Sequence, residues 1–245
     1  MAPLVHAARA TGVATLTLDS PANRNALSAA LVGEVRAALA TAAADPEVRA
    51  VVLTHTGSTF CAGADLKAPC APADFLALLR EIAGLPTPVL ARVTGHVRAG
   101  GLGLLGVCDI AAAGPESSYA FTETHLGLAP AVISMPLLPR LDPRAASRYF
   151  LTAERFDAAE AARIGLLTLH ADDVDLALEP VLDGLRKASP QGLAATKALT
   201  AAAVRATLDR DGDRLTGLSA ELFASAEARE GITARFEHRD PSWAL

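Results

Sequence analysis

The stretch Val93–Asp109, VTGHVRAGGLGLLGVCD, decides the fold. A β-like run stops at Gly95, the pair Gly100-Gly101 follows, and a wholly apolar segment runs to Cys108. Two glycines ahead of a helix mark a place where something approaches the backbone closely. A segment without charge behind them marks a short helix that is buried. On the N-terminal side, residues 4–9 and 13–18 alternate like paired strands around a turn at Thr11-Gly12. Ser28 can cap a helix to about Ala44, with Leu31, Val35 and Leu39 on one face. Strands are expected at 48–54 and 88–94, a helix at 74–83, and another strand in CDIAAAG. Strands alternating with helices predict an α/β fold. Beyond Asp142 the chain reads as helical, over 142–150, 157–164, 175–187, 190–206 and 211–230. The break at Ser189-Pro190 divides it into an α/β core, 1–189, and a helical C-terminal region, 190–245.

The 245 residues are 51% hydrophobic, enough for a substantial core, and only 4% aromatic. A net charge of −5 leaves no basic footprint, so no nucleic-acid partner is expected. The six histidines and three cysteines (Cys61, Cys70, Cys108) have no zinc-like spacing, so no metal is expected. The N-terminus does not read as a signal peptide, and no apolar run approaches a membrane span. These features predict a cytoplasmic protein with no membrane partner.

GLGLLG, Gly101–Gly106, formally matches the dinucleotide pattern G-x-G-x-x-G. The next strand begins near Cys108, too soon for the usual helix and for an acidic ribose partner about twenty residues on. A second reading combines FCAGADL at 60–66 with RAGG at 98–101. Each follows a strand, and each can present a free backbone N–H to one oxygen. Two such donors make an oxyanion hole, and one of them sits at a helix N-terminus where the dipole adds to it.

FCAGADLK, GGLGLLGVCDIAAA, YAFTETHLGLAP and EGITARFEHRDPSW resemble segments of the crotonase family, also called enoyl-CoA hydratase/isomerase. LDSPANRNALS, DPEVRAVVLT and LTAERFDAAEAARIGLL extend the resemblance over about residues 12–243, in the family's order. It implies a spiral of β-β-α turns with a C-terminal helical trimerisation part, assembled as a trimer or a dimer of trimers. It also implies an acyl-CoA thioester as substrate, so coenzyme A enters as part of that substrate and no prosthetic group is expected. The oxyanion hole maps to the N–H groups of Ala64 and Gly100.

Family hydratases place two glutamates beside the reacting carbons. One maps to Glu123; the other position, three residues after Gly100, is Gly103. Read without that register, Glu123 is a surface carboxylate and Gly103 a helix-packing glycine. With it, Glu123 is the general acid/base; Gly103 remains a helix-packing glycine, and its missing side chain is also expected to open room for the acyl group. His96, Arg98 and His125 are candidate polar helpers. Some branches resembling 3-methylglutaconyl-CoA hydratases also carry glycine at this position, and their GL-P-A-x-I element resembles GLAPAVIS at 127–134. Pro130, Val132 and Ile133 then belong either to the core or to a reshaped pocket.

The resemblance assigns coenzyme A contacts to the loop of Arg24 and Ala26 and to Ala62, Asp65, Leu66 and Lys67. The activity expected is hydration of a 2-enoyl-CoA. The alternatives are double-bond migration by an enoyl-CoA isomerase and acyl-CoA binding with little turnover.

Overall fold

The computed structural model describes residues 2–245. Strands β1 (Val5–Ala10) and β2 (Val13–Leu18) form an antiparallel hairpin. Thr11 and Gly12, with φ of 46° and 73°, supply the two left-handed residues of a tight hairpin turn. Helix α1 (Ala29–Ala44) follows, its first turn closed by Ser28, whose hydroxyl accepts the Leu31 N–H. The next segments are two β-β-α turns. The first is β3 (Ala50–His55), β4 (Thr59–Cys61) and α2 (Pro72–Gly84); the second is β5 (Val89–Val93), β6 (His96–Arg98) and α3 (Gly100–Val107). A third turn begins with β7 (Ile110–Ala113) and β8 (Ser118–Ala120) and continues into α4 (Ala131–Leu137) and α5 (Pro143–Thr152). Then come β9 (Phe156–Asp157), α6 (Ala158–Arg163), β10 (Leu169–His170) and α7 (Val174–Lys187).

Each turn sends its first strand to one sheet and its second to another. The larger sheet has the order β1-β2-β3-β5-β7-β10 and the smaller β4-β6-β8-β9. Apart from β1, the larger sheet is parallel, and helices cover both of its faces, as parallel sheets require. Val51 and Leu53 point into the main core with Leu31, Leu79 and Leu105, whereas Ala50 and Val52 point to a second cluster under Val174 and Leu178 of α7. That division is why every residue of β3 is buried.

The C-terminal region is three helices, α8 (Pro190–Thr200), α9 (Ala202–Ala224) and α10 (Ala226–Glu237). The expected segments 190–206 and 211–230 are therefore corrected: the breaks fall at Ala201 and Ser225. Ser225 caps α10 by accepting the Ala228 N–H. Alanine continues on both sides of each break, so no change of composition announces it. Helix α9 packs on α2 and α4, with Arg80 donating to the Leu208 carbonyl and Thr207 to that of Met135. Lys197 of α8 is buried and reaches Asp109, just ahead of β7.

Candidate active site

Beneath the smaller sheet lies a cleft of about 1640 Å³. The loop between β4 and α2 enters it first. Leu27 and Ala64 form an isolated parallel bridge: Leu27 N–H donates to Gly63 O at 2.7 Å, and Asp65 N–H donates to Leu27 O at 3.3 Å. Both bonds use the flanking residues, so the Ala64 N–H has no partner among the described residues. Gly63, with φ of 89°, makes the reversal possible.

Opposite it, α3 begins at Gly100. Ala99, before it, is held at φ 45° and ψ −121°, a backbone region few L-residues occupy. The Ala99 N–H donates to Ala120 O on β8, which fixes the entry to the helix. As the first residue of α3, Gly100 has no intrahelical acceptor for its N–H. The two loops are in contact. A side-chain carbon on Gly63 would stand 3.2 Å from Gly100 N, and one on Gly100 would stand 3.7 Å from Ala64 N. Packing accounts for the glycine pair. Gly100 abuts Leu27 and Gly63, and Gly101 lies against the Cys61 backbone of β4. The helix behind is buried throughout.

Glu123 borders the same cleft. It lies between β8 and a short 3₁₀ turn, Thr124–Leu126, and its carbonyl accepts the N–H groups of Leu126 and Leu128. Its side chain is buried and, among the described residues, Oε2 has no hydrogen-bond partner. Burial pushes its carboxyl up to about 7, and a hydrogen bond from its own backbone N–H offsets only part of the lost solvation. An unpaired buried acid that titrates near neutrality can both accept and return a proton.

Gly103 does not border the cleft. A side-chain carbon there would stand 2.5 Å from Cγ2 and 2.9 Å from Cβ of Ile133. The expectation that Gly103 opens the acyl pocket is therefore corrected: Ile133 of α4 fills that space and itself faces the cleft, with Pro130 and Val132 beside it. Any side chain at 103 requires Ile133 to move. Gly103→Glu alone is expected to lower stability by about 1–3 kcal/mol through overpacking. Gly103→Glu combined with Ile133→Ala should recover most of that loss, as chemical denaturation would show.

Arg24, Ala26, Ala62, Asp65, Leu66 and Lys67 all line the cleft. Arg24 and Asn25 adopt left-handed φ of 58° and 53°. Asn25 was missed as a site residue. It is completely buried, accepts the Ser20 N–H and donates to Thr59 O, so it pins this loop to β4. Its signal was a polar side chain between a loop and a helix cap. Asp65 accepts the N–H groups of Lys67 and Ala68, which shapes the loop after Ala64. His96, Arg98 and His125 also line the cleft, as do Arg235, Phe236 and Trp243 from the C-terminal region. His238 ends α10 in a left-handed conformation.

Residues 8–244 match the family described as Enoyl-CoA hydratase/isomerase. An enoyl-CoA hydratase from Mycobacterium avium has a solved structure that is 53% identical, with full coverage of both chains and a TM-score of 0.92. A carnitinyl-CoA hydratase from the same organism is 28% identical over 99% of each chain, with a TM-score of 0.88. An enoyl-CoA hydratase from Alternaria alternata is 30% identical, with 95% of this chain and 81% of that protein covered. The chain belongs to the enoyl-CoA hydratase/isomerase family of enzymes and has the crotonase fold.

Proposed function

We propose that this enzyme hydrates a 2-enoyl-CoA thioester with one glutamate. The observation that carries the reading is the juxtaposition around one cleft of two unpaired amides, Ala64 N–H and Gly100 N–H, with a buried acid that has no partner. The thioester oxygen sits between the amides. Glu123, as carboxylate, takes a proton from water while the hydroxyl oxygen bonds to C3. The electron pair of the C2–C3 bond moves toward the carbonyl, and enolate charge collects on the thioester oxygen. The amides stabilise that charge because they already point at it and need no reorganisation. Glu123 then returns the proton to C2. Water has been added and the carboxylate is restored.

The coenzyme A portion lies along the loops of Arg24, Ala26 and Ala62–Lys67, which border the cleft on the β4 side. It is part of the substrate and no other organic group enters this chemistry. Ile133 beside Gly103 supports a second reading. With that space filled by a hydrocarbon, Glu123 alone can move a proton between C2 and C4, which is isomerisation. The two readings separate by product, a 3-hydroxyacyl thioester against a shifted double bond.

A backbone donor cannot be deleted by substitution, but it can be displaced. Gly63→Ala places a carbon 2.8 Å from Ala99 Cβ and 3.2 Å from Gly100 N, at a φ that alanine resists. It wedges the two loops apart. kcat is expected to fall by about 10²–10³, the scale for losing one such donor, while far-ultraviolet circular dichroism stays unchanged. A variant that folds and turns over at the parental rate would remove the paired amides from the mechanism.

A further inference from the structure

The C-terminal stretch EGITARFEHRDPSW takes no part in the hydration chemistry, yet its helix bears on the residue that performs it. Helix α10 packs against the 3₁₀ turn Thr124–Leu126, whose first flanking residue is Glu123. The contact is backbone on backbone. A side-chain carbon on Gly231 would stand 2.6 Å from Leu126 C and 2.7 Å from both its Cα and its O. One helical turn earlier the approach repeats from the loop side: a carbon on Gly127 would stand 2.7 Å from Glu227 C, 2.8 Å from its O and 2.9 Å from Ala228 N. Ala228 and Ala234, on the same face of the helix as Gly231, are buried as well. Two bare backbones thus fix how closely helix and loop approach. Gly127 is also held at a φ of 67°, whereas Gly231 sits inside an ordinary helix, so Gly231 isolates the contact.

The loop has no polar tie to anything else. Among the described residues, no hydrogen bond links residues 122–128 to another element. Those they make are local: Leu126 and Leu128 N–H donate to Glu123 O at 2.9 and 3.0 Å, and Gly127 N–H donates to Thr124 O at 3.4 Å. The place of Glu123 is therefore set by packing. Helix α10 is the stiffer side of that packing. It follows α9, which is anchored on α2 and α4, and its end is clasped where Arg239 donates to Glu230 at 2.7 and 3.0 Å. A methyl group at 231 would have to be relieved by a shift of roughly 0.8 Å, since ordinary contact begins at 3.4 Å. The shift falls on Leu126, whose N–H is bonded to the Glu123 carbonyl, and so passes to the acid.

Resting on the single-glutamate hydration proposed above, we infer that Gly231 is a positioning residue for Glu123: the bare backbone of α10 seats Leu126 and so sets where the acid stands beside the substrate. A misplacement of about 1 Å, even one that originates away from the chemistry, costs on the order of 10²-fold in rate.

Gly231→Ala tests this, assayed on straight-chain 2-enoyl-CoA thioesters of roughly four to ten carbons, with butanoyl-CoA binding followed by calorimetry. kcat is expected to fall by about ten- to a hundredfold, while KM and the butanoyl-CoA Kd stay within about threefold of the parent. In a Glu123→Gln background the same substitution should cost nothing further, because the group it displaces has already lost its proton chemistry. General damage to the fold would instead multiply the two losses. If Gly231→Ala does not fold, Ala228→Ser, which adds one atom to the same buried face, should show the same pattern at smaller amplitude. A parental kcat in the variant that folds, or losses that multiply in the double variant, overturns the inference while leaving the hydratase reading in place. A parent that hydrates none of these thioesters, or Glu123→Gln at the parental rate, overturns that reading and this inference with it.

Discussion

Glu123→Gln is expected to lower kcat by about 10²–10⁴, the usual contribution of a positioned general acid/base, with little change in fold or in acyl-CoA binding. The substitution keeps the shape of a buried side chain and removes only its ability to exchange a proton. The same residue sets the pH dependence. Burial raises its carboxyl to about 7, and the hydration begins from the carboxylate, so kcat/KM should rise with pH through about 7. Stability should move the opposite way. The folded pKa lies above the unfolded value, so the folded state binds more protons between pH 4.5 and 7. Its contribution is fully present below about 4.5 and is lost as pH rises through about 7. At about 1.4 kcal/mol for each unit, that amounts to roughly 3 kcal/mol. Urea denaturation of the parent should show this decline, and Glu123→Gln should flatten it and be the more stable form at pH 8. A parental rate in Glu123→Gln with the true substrate would take the residue out of the chemistry.

Lys197→Met is expected to cost about 3–5 kcal/mol of folding stability, the range for removing one partner of a buried pair. Its ammonium is 2.8 Å from Asp109 Oδ2 and donates to the carbonyls of Ile82 and Thr87 at 2.8 and 3.1 Å. Asp109 Oδ2 also accepts the Val89 N–H. One side chain of α8 thus joins the end of α2, the start of β5 and the entry to β7. Methionine would leave Asp109 charged and two carbonyls without a donor. Replacing Asp109 by asparagine as well removes the stranded charge and should recover part of the loss, which a double-mutant denaturation cycle measures. By contrast, disrupting the exposed Arg148–Glu154 pair should cost no more than about 1 kcal/mol.

The sequence made five of the six strands of the larger sheet legible because they are long enough to show a pattern; β10, with two residues, was not read. The hairpin announced itself through Thr11-Gly12, and α1 through Ser28 and the Leu31, Val35, Leu39 stripe. The smaller sheet was not legible. Its strands β4, β6, β8 and β9 have three or two residues each, too few for alternation to register. Their common face, where His96, Arg98 and Ser118 converge, exists only after parallel pairing brings segments about twenty residues apart into register. Gly103 was rightly read as a helix-packing glycine, but its place in the acyl pocket was misread for the same reason. Its absent side chain suggested open space, whereas Ile133, thirty residues later, occupies that space by helix-on-helix packing that no local period reveals. The loops of Ala64 and Gly100 could be singled out from their glycines and order, but their approach through Gly63 is tertiary.

The proposed chemistry needs two amides holding one oxygen beside a single acid. The direct measurement is a crystal structure of Glu123→Gln soaked with a 2-enoyl-CoA. The expected result is a thioester oxygen about 2.7–3.1 Å from both Ala64 N and Gly100 N, with the residue 123 amide next to C2 and C3. A thioester oxygen that meets neither amide, or an acyl chain running away from residue 123, would contradict it.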